Sequence, residues 1–344
     1  MTKLAAITLT LSMFVGACSS DAEPPGEGRL VVIDETGNVV TLAPDGSEAA
    51  AVTSDGGGRV TYFQPIWSPD GTQLSVTRSD AGAFSVDVID RATGATSSTT
   101  TASNVFYAFW SPDGTQLAYL SSVTPQDLAL DVIAVAEPET PTRNGLGQPL
   151  YFSWHPDSTE LVTHIGTDRL EVVTGDDARS TLAIPGQFAA PQWTDGGIIY
   201  VGAAGGGQQL MRSQPEGEAN LLASLSGGAV FTATEDGRRI AVLATGGNDL
   251  GSTVAAQQGQ LLPAGQLVVL DEEADGYTAV EVGVAVAFFW DPTGERLLVL
   301  EVTESGVLRW LVWEDDSLRS YPEFSPSPSF LRDLVPFFDQ YAQS

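Results

Sequence analysis

The sequence predicts an all-β protein: a β-propeller of four-stranded blades, six nearly complete and a seventh partial. A repeated motif, its period and the turn chemistry inside it predict this. Residues 65–77 read PIWSPDGTQLSVT, 108–120 AFWSPDGTQLAYL and 152–164 FSWHPDSTELVTH. Weaker copies are PQWTDGGIIYVG at 191–202, FTATEDGRRIAVL at 231–243 and FFWDPTGERLLVL at 288–300. The anchor positions Trp67, Trp110, Trp154, Trp193, Ala233 and Trp290 lie 43, 44, 39, 40 and 57 residues apart. A period near 40 with strand-like content is the size of one four-stranded blade. Each copy runs from a short apolar stretch into a turn built from Pro, Asp and Gly, then into an alternating strand such as Gln73–Thr77.

The chain opens on a targeting segment, residues 1–17. Lys3, the only lysine of the 344 residues, supplies the positive start, and Leu4 to Val15 form an apolar run. That run is too short for a membrane span, which needs about 20 residues. The segment ends Val15-Gly16-Ala17-Cys18, and Cys18 is the only cysteine. These residues resemble the bacterial lipobox. The resemblance implies lipidation of Cys18 and cleavage before it, with several acyl chains on one residue giving stable anchoring. The alternative is an ordinary signal peptide cut near Ala17. Residues 18–28 are polar and rich in Pro, Gly and Glu, and read as a flexible tether.

Residues 29–344 form the propeller. Arg29–Asp34, Asn38–Ala43 and Glu48–Thr53 match the second, third and fourth strands of a blade whose inner strand lies elsewhere in the chain. Each later repeat supplies an inner strand ending at its anchor, a second strand after the turn, an apolar third strand such as Val86–Ile89 and a polar fourth strand such as Thr96–Thr101. The anchor tryptophans read as packing wedges between blades. The turn aspartates Asp70, Asp113 and Asp157 read as turn caps, because the same Asp recurs in every good copy. Ala233 replaces the Trp in the fifth copy, which predicts a looser interface there.

Trp-Ser-Pro-Asp-Gly before an apolar strand resembles the repeat of the TolB-type β-propeller family, over residues 29 to 344. The resemblance implies protein–protein interaction at a cell envelope. After Trp290 the next anchor is due 40–57 residues on, and the tail Leu334–Ser344 contains no Trp. Two readings stay open. Either the chain is truncated and the seventh blade lacks its inner strand, or the tail itself supplies that strand with Phe337 and Phe338 buried.

The functional expectation falls on irregular loops, the Gly246–Gly265 insertion and the tail from Phe324, whose aromatics Phe330, Phe337, Phe338 and Tyr341 are the candidate binding residues. No catalytic or metal-binding residue and no cofactor is expected. The two histidines, His155 and His164, match no site spacing. No Gly-x-Ser-x-Gly elbow and no phosphate loop occurs. The acidic runs Asp176-Asp177, Asp271–Glu273 and Glu314–Asp316 read as solvated turns. With 44 acidic and 15 basic residues the net charge is −29, which argues against nucleic acid or an anionic bilayer surface as partner. The sequence therefore reads as a lipid-anchored, extracytoplasmic propeller acting as a protein-binding or scaffold module, its oligomeric state open. Polysaccharide or peptide binding is one alternative, and a propeller-type lyase or hydrolase another.

Overall fold

The computed structural model describes residues 30–34, 36–42, 48–174, 178–183, 185–204, 207–246, 260–274, 276–291, 293–303, 305–306 and 308–320. These residues form seven antiparallel sheets and no helix. The first holds β1 (Leu30–Ile33), β2 (Val39–Leu42) and β3 (Ala50–Ala51). Six four-stranded sheets follow in chain order: β4–β7 (60–101), β8–β11 (105–147), β12–β15 (150–183), β16–β19 (192–225), β20–β23 (229–279) and β24–β27 (284–320). Each is a meander of neighbours in sequence, so the chain builds one blade before starting the next. Lipidation at Cys18 and the aromatics Phe330, Phe337, Phe338 and Tyr341 lie outside the described residues.

Alternation of side chains across each strand explains the packing. Leu74, Val76 and Ile89 turn one face of the β4–β7 blade to Val31 and Val39, while Val86 and Val88 turn the other to Val105 and Trp110. Six clusters of this kind fill six of the seven blade junctions among the described residues. Each anchor tryptophan ends an inner strand, or in β16 precedes its last residue, and packs into the junction with the preceding blade. All five are at least 92% buried.

The indole N–H has to be satisfied there, and the preceding inner strand does so. Trp110 Nε1 donates to the Ile66 carbonyl (3.4 Å), Trp154 Nε1 to Phe109 (3.2 Å) and Trp290 Nε1 to Thr232 (3.2 Å). In each case the acceptor immediately precedes the neighbouring blade's anchor. At the next junction the Trp193 backbone N–H donates to Ser153 Oγ at 3.0 Å. Ala233 brings no indole, and Gln192 bridges instead. Its Oε1 accepts from the Ala233 N–H (2.7 Å) and its Nε2 reaches the Phe231 carbonyl (3.4 Å). That junction thus keeps a polar link that the missing Trp alone does not forecast.

The Pro-Asp-Gly turns behave as caps. Asp70 Oδ1 accepts from Ser68 Oγ (2.6 Å) and the Thr72 N–H (3.0 Å), and Ser68 Oγ accepts from the Gln73 N–H. Asp113 repeats this with Ser111 and Thr115. Burial raises both carboxyls, but these hydrogen bonds outweigh it and hold them below the ordinary carboxylate range. The glycines at 56 and 57 serve a close approach. A Cβ on Gly56 would lie 2.1 Å from the Gly37 carbonyl oxygen, at the β1–β2 turn.

Candidate functional site: the central channel

The inner strands leave a cavity of about 820 Å³ between them. One wall is aromatic. Tyr107 and Tyr151 stand at the same repeat position, three residues before their anchors Trp110 and Trp154. In β8 the pairing with β9 breaks between Phe106 and Phe109, and Tyr107 takes a left-handed backbone (φ 53°). For a bulky residue this is strained, and the bulge re-aims the side chain. The Tyr107 ring lies 4.7 Å from Phe109, 4.8 Å from Tyr151 and 5.3 Å from Phe152. Tyr151 stacks on Phe188 at 4.9 Å and 17°. Burial raises the Tyr151 hydroxyl, which keeps it neutral.

Phe188 comes from the link between β15 and β16, which the residue pattern did not single out. That link is pinned locally. The Gly186 N–H donates to the Val201 carbonyl (2.9 Å) and the Gln187 N–H to Gln208 Oε1 (2.6 Å). His164 closes the support from behind. It is 1% exposed, its Nδ1 lies 3.0 Å from the Ala189 carbonyl oxygen and its ring lies 4.8 Å from Phe188. Burial lowers its pKa, against the hydrogen bond to Ala189. A neutral imidazole with Nδ1–H donating fits that geometry. His164 is a positioning residue behind the wall.

The facing wall is aliphatic, with Val230 55% and Val286 38% exposed. Charged residues of the described lining are Glu235 and Asp291, with no Arg, Lys or His. Asp291 is committed to its own turn, accepting from the Arg296 backbone N–H (3.0 Å) and pairing with the Arg296 guanidinium (2.9 Å). Among the described residues no group of three or more His, Cys, Asp or Glu is placed to hold a metal ion.

The other expected features sit away from the channel chemistry. His155 is in its turn, with Nδ1 2.6 Å from the Asp157 carboxylate and its ring edge-on to Trp193, the centroids 4.4 Å apart. The acidic run 271–273 is answered by arginines: Arg239 faces Asp271 (3.8 Å), Arg212 faces Glu272 (3.5 Å) and Arg238 pairs with Glu273. Of the Gly246–Gly265 insertion, 247–259 lie outside the described residues. Its returning end docks on the outer strand β19, where the Leu262 N–H donates to the Ser224 carbonyl (3.0 Å) and Leu262 is buried.

No protein-family model and no curated protein matches the chain. Solved structures do. An oligogalacturonate lyase in complex with manganese superposes with a TM-score of 0.59 at 15% identity, covering 83% of each chain. The β-propeller domain of the Trilobed protease from Pyrococcus furiosus, described as having an open velcro topology, gives 0.58 at 14% identity over 87% of this chain and 94% of that one. TolB from Acinetobacter baumannii gives 0.46 at 17% identity over 75% and 64%, too low to carry an argument. At these identities the likeness shows the fold alone: the chain is a seven-bladed β-propeller.

Proposed function

We propose that this protein is a lipid-anchored, extracytoplasmic binding propeller that takes an apolar segment of a protein partner into its channel. The lipobox-like Val15–Cys18 and the polar tether behind it support the location. The observation that carries the binding role is the channel lining, aromatic on one wall, aliphatic on the other and nearly free of charge. Such a lining suits apolar side chains. The aromatic rings pack on one another, Tyr151 face to face with Phe188 and Tyr107 edge-on to Phe109. Their faces are thus largely spent and do not form an open platform for sugar rings. A lyase or hydrolase reading draws no support from a described lining without His, Arg or Lys. The net charge of −29 favours a partner whose contact surface is basic around the apolar segment.

A photo-crosslinking residue at Val230, inside the channel, tests this in whole cells. The expected result is a partner adduct that weakens at least about tenfold with Phe188→Ala and persists with Val123→Ala, on the outer surface. Absence of any adduct from Val230, together with oligosaccharide binding by the purified protein, would replace this reading with glycan binding. Cys18→Ser is expected to release the protein from the membrane fraction without abolishing the fold.

A further inference from the structure

The bulge that re-aims Tyr107 in the third sheet has a twin in the second. Pairing of β4 (Val60–Trp67) with β5 (Gln73–Asp80) runs Phe63 to Thr77 and then Ile66 to Ser75. Gln64 and Pro65 bulge between, and Gln64 takes a left-handed backbone (φ 51°). Pairing of β8 (Val105–Trp110) with β9 (Gln116–Thr124) runs Phe106 to Leu120 and then Phe109 to Ala118, with Tyr107 at φ 53°. Counted from the anchors Trp67 and Trp110, Gln64 corresponds to Tyr107, Ser75 to Ala118 and Thr77 to Leu120. Tyr107, Ala118 and Leu120 pack in one hydrophobic cluster. Gln64, Ser75 and Thr77 are buried too, at 6%, 1% and 1% exposure. All three are polar, however, and Gln64 Oε1, Ser75 Oγ and Thr77 Oγ1 have no hydrogen-bond partner within the protein. In each of the other five repeats at least one of these places is aliphatic.

We propose that the β4 bulge is a binding site for an ordered water molecule, held by Gln64 Oε1, Ser75 Oγ and Thr77 Oγ1. Ser75 pairs with Ile66, which packs against Val105 and Trp110, so the site lies in the junction between the β4–β7 and β8–β11 blades. A buried oxygen left unpaired is costly. Three of them, at places that the neighbouring blade fills with carbon, select one shared polar occupant. Ser75 and Thr77 lie on one face of β5, about 7 Å apart along the strand. A water bridging two hydroxyls spans such a gap. Both hydroxyls can donate to the water oxygen, and the water can donate to Gln64 Oε1. Three partners is the usual number for a buried water. A hard metal cation fits less well, because it takes about six to eight oxygens and this triple carries no charge. The water gives the strained Gln64 a partner, as the packed aromatic cluster does for Tyr107. The assignment is independent of any partner in the channel.

The test is oxygen-17 water relaxation dispersion on the full chain in detergent micelles, which counts the waters held inside the protein. Ser75→Ala/Thr77→Val keeps the shape of the site and removes both hydroxyls. The expected result is the loss of about one long-lived water per chain relative to the parent, with no loss in Val123→Ala on the outer surface. If that pair fails to fold, Thr77→Val alone is expected to shorten the residence of this water about tenfold, the effect of one lost hydrogen bond, and Thr77→Ser to keep it. An unchanged count in the double variant, or an unchanged residence in Thr77→Val, would overturn the assignment. So would a parent melting temperature that differs between sodium and potassium chloride at equal concentration and loses that difference in the double variant, which points to a bound monovalent cation.

Discussion

His164 shows how one residue ties the channel wall to solution conditions. It is buried neutral behind Phe188, and burial holds its pKa below 6.5. The unfolded chain binds a proton at this group below about pH 6.5. The folded chain does so only at lower pH, so stability is undiminished above that pH and falls as pH drops through the window beneath it. His164→Asn keeps a donor near the Ala189 carbonyl and cannot titrate. The expected outcome is a flatter melting temperature between pH 6.5 and 5 than in the parent, measured by thermal denaturation. An unchanged slope would assign the dependence to other groups. The anchors make a second residue-scale prediction. Trp154→Phe retains an aromatic wedge but removes the indole N–H bond to the Phe109 carbonyl, which keeps its β8–β9 pairing. Loss of one such bond costs about 0.5–1.5 kcal/mol, and calorimetry should show a melting temperature lower by a few degrees.

At the scale of strands and turns, the recurrent Asp acts before packing does. Asp113 accepts from Ser111 Oγ, from Thr115 Oγ1 and from the Thr115 N–H, tying the β8–β9 turn into one unit. Asp113→Ala removes three acceptor contacts in a partly exposed turn and is expected to cost about 1–2 kcal/mol in chemical denaturation. Gln192→Ala tests the junction without a tryptophan. Losing its amide strands the Ala233 N–H, and the expected loss is about 1–3 kcal/mol. A neutral outcome would mean that water replaces the amide. These elements also mark the limit of what the residue pattern reveals. The anchors, turn caps and strand order were legible because each depends on contacts a few residues apart or on the 40-residue period. Strand Thr96–Thr101 appears as expected. The Gln192 bridge was not legible, because it joins residues 41 apart through a side chain that lies outside the motif. Phe188 was missed for a similar reason. It sits in an irregular link, and its place in the wall comes from Gly186 and Gln187 clipped to β17 and β18 rather than from any periodicity.

For the molecule as a whole the governing quantity is charge. Forty-four acids face fifteen bases, and many arginines are taken up in local pairs such as Arg143–Asp131 (2.5 Å), Arg179–Glu171 (3.2 Å) and Arg309–Glu301. The remaining carboxylates repel one another across a compact ring, and that repulsion destabilises the folded state more than the expanded chain. Added salt screens it, since the Debye length shrinks from about 30 Å at 0.01 M to about 3 Å at 1 M. The close pairs resist screening better than the diffuse repulsion does, so the net effect of salt is stabilising. Acid works in two opposed ways. Protonating exposed carboxylates relieves repulsion, while Asp70, Asp113 and Asp236, held below 3.8, keep their caps until the pH falls through their own lowered values. Their stabilisation is fully present above about pH 4 and is lost below it. Melting temperature should therefore rise by a few degrees, about 2–5 °C, between 0.02 M and 0.5 M sodium chloride at pH 7. The rise should shrink at pH 4.5, where part of the repulsion is already neutralised, and the protein should unfold cooperatively as the pH falls below 3.8 and through the lowered range in which the turn caps protonate. A melting temperature that falls with salt at pH 7 would show that the arginine–carboxylate pairs, and not the excess negative charge, dominate the ring's electrostatics.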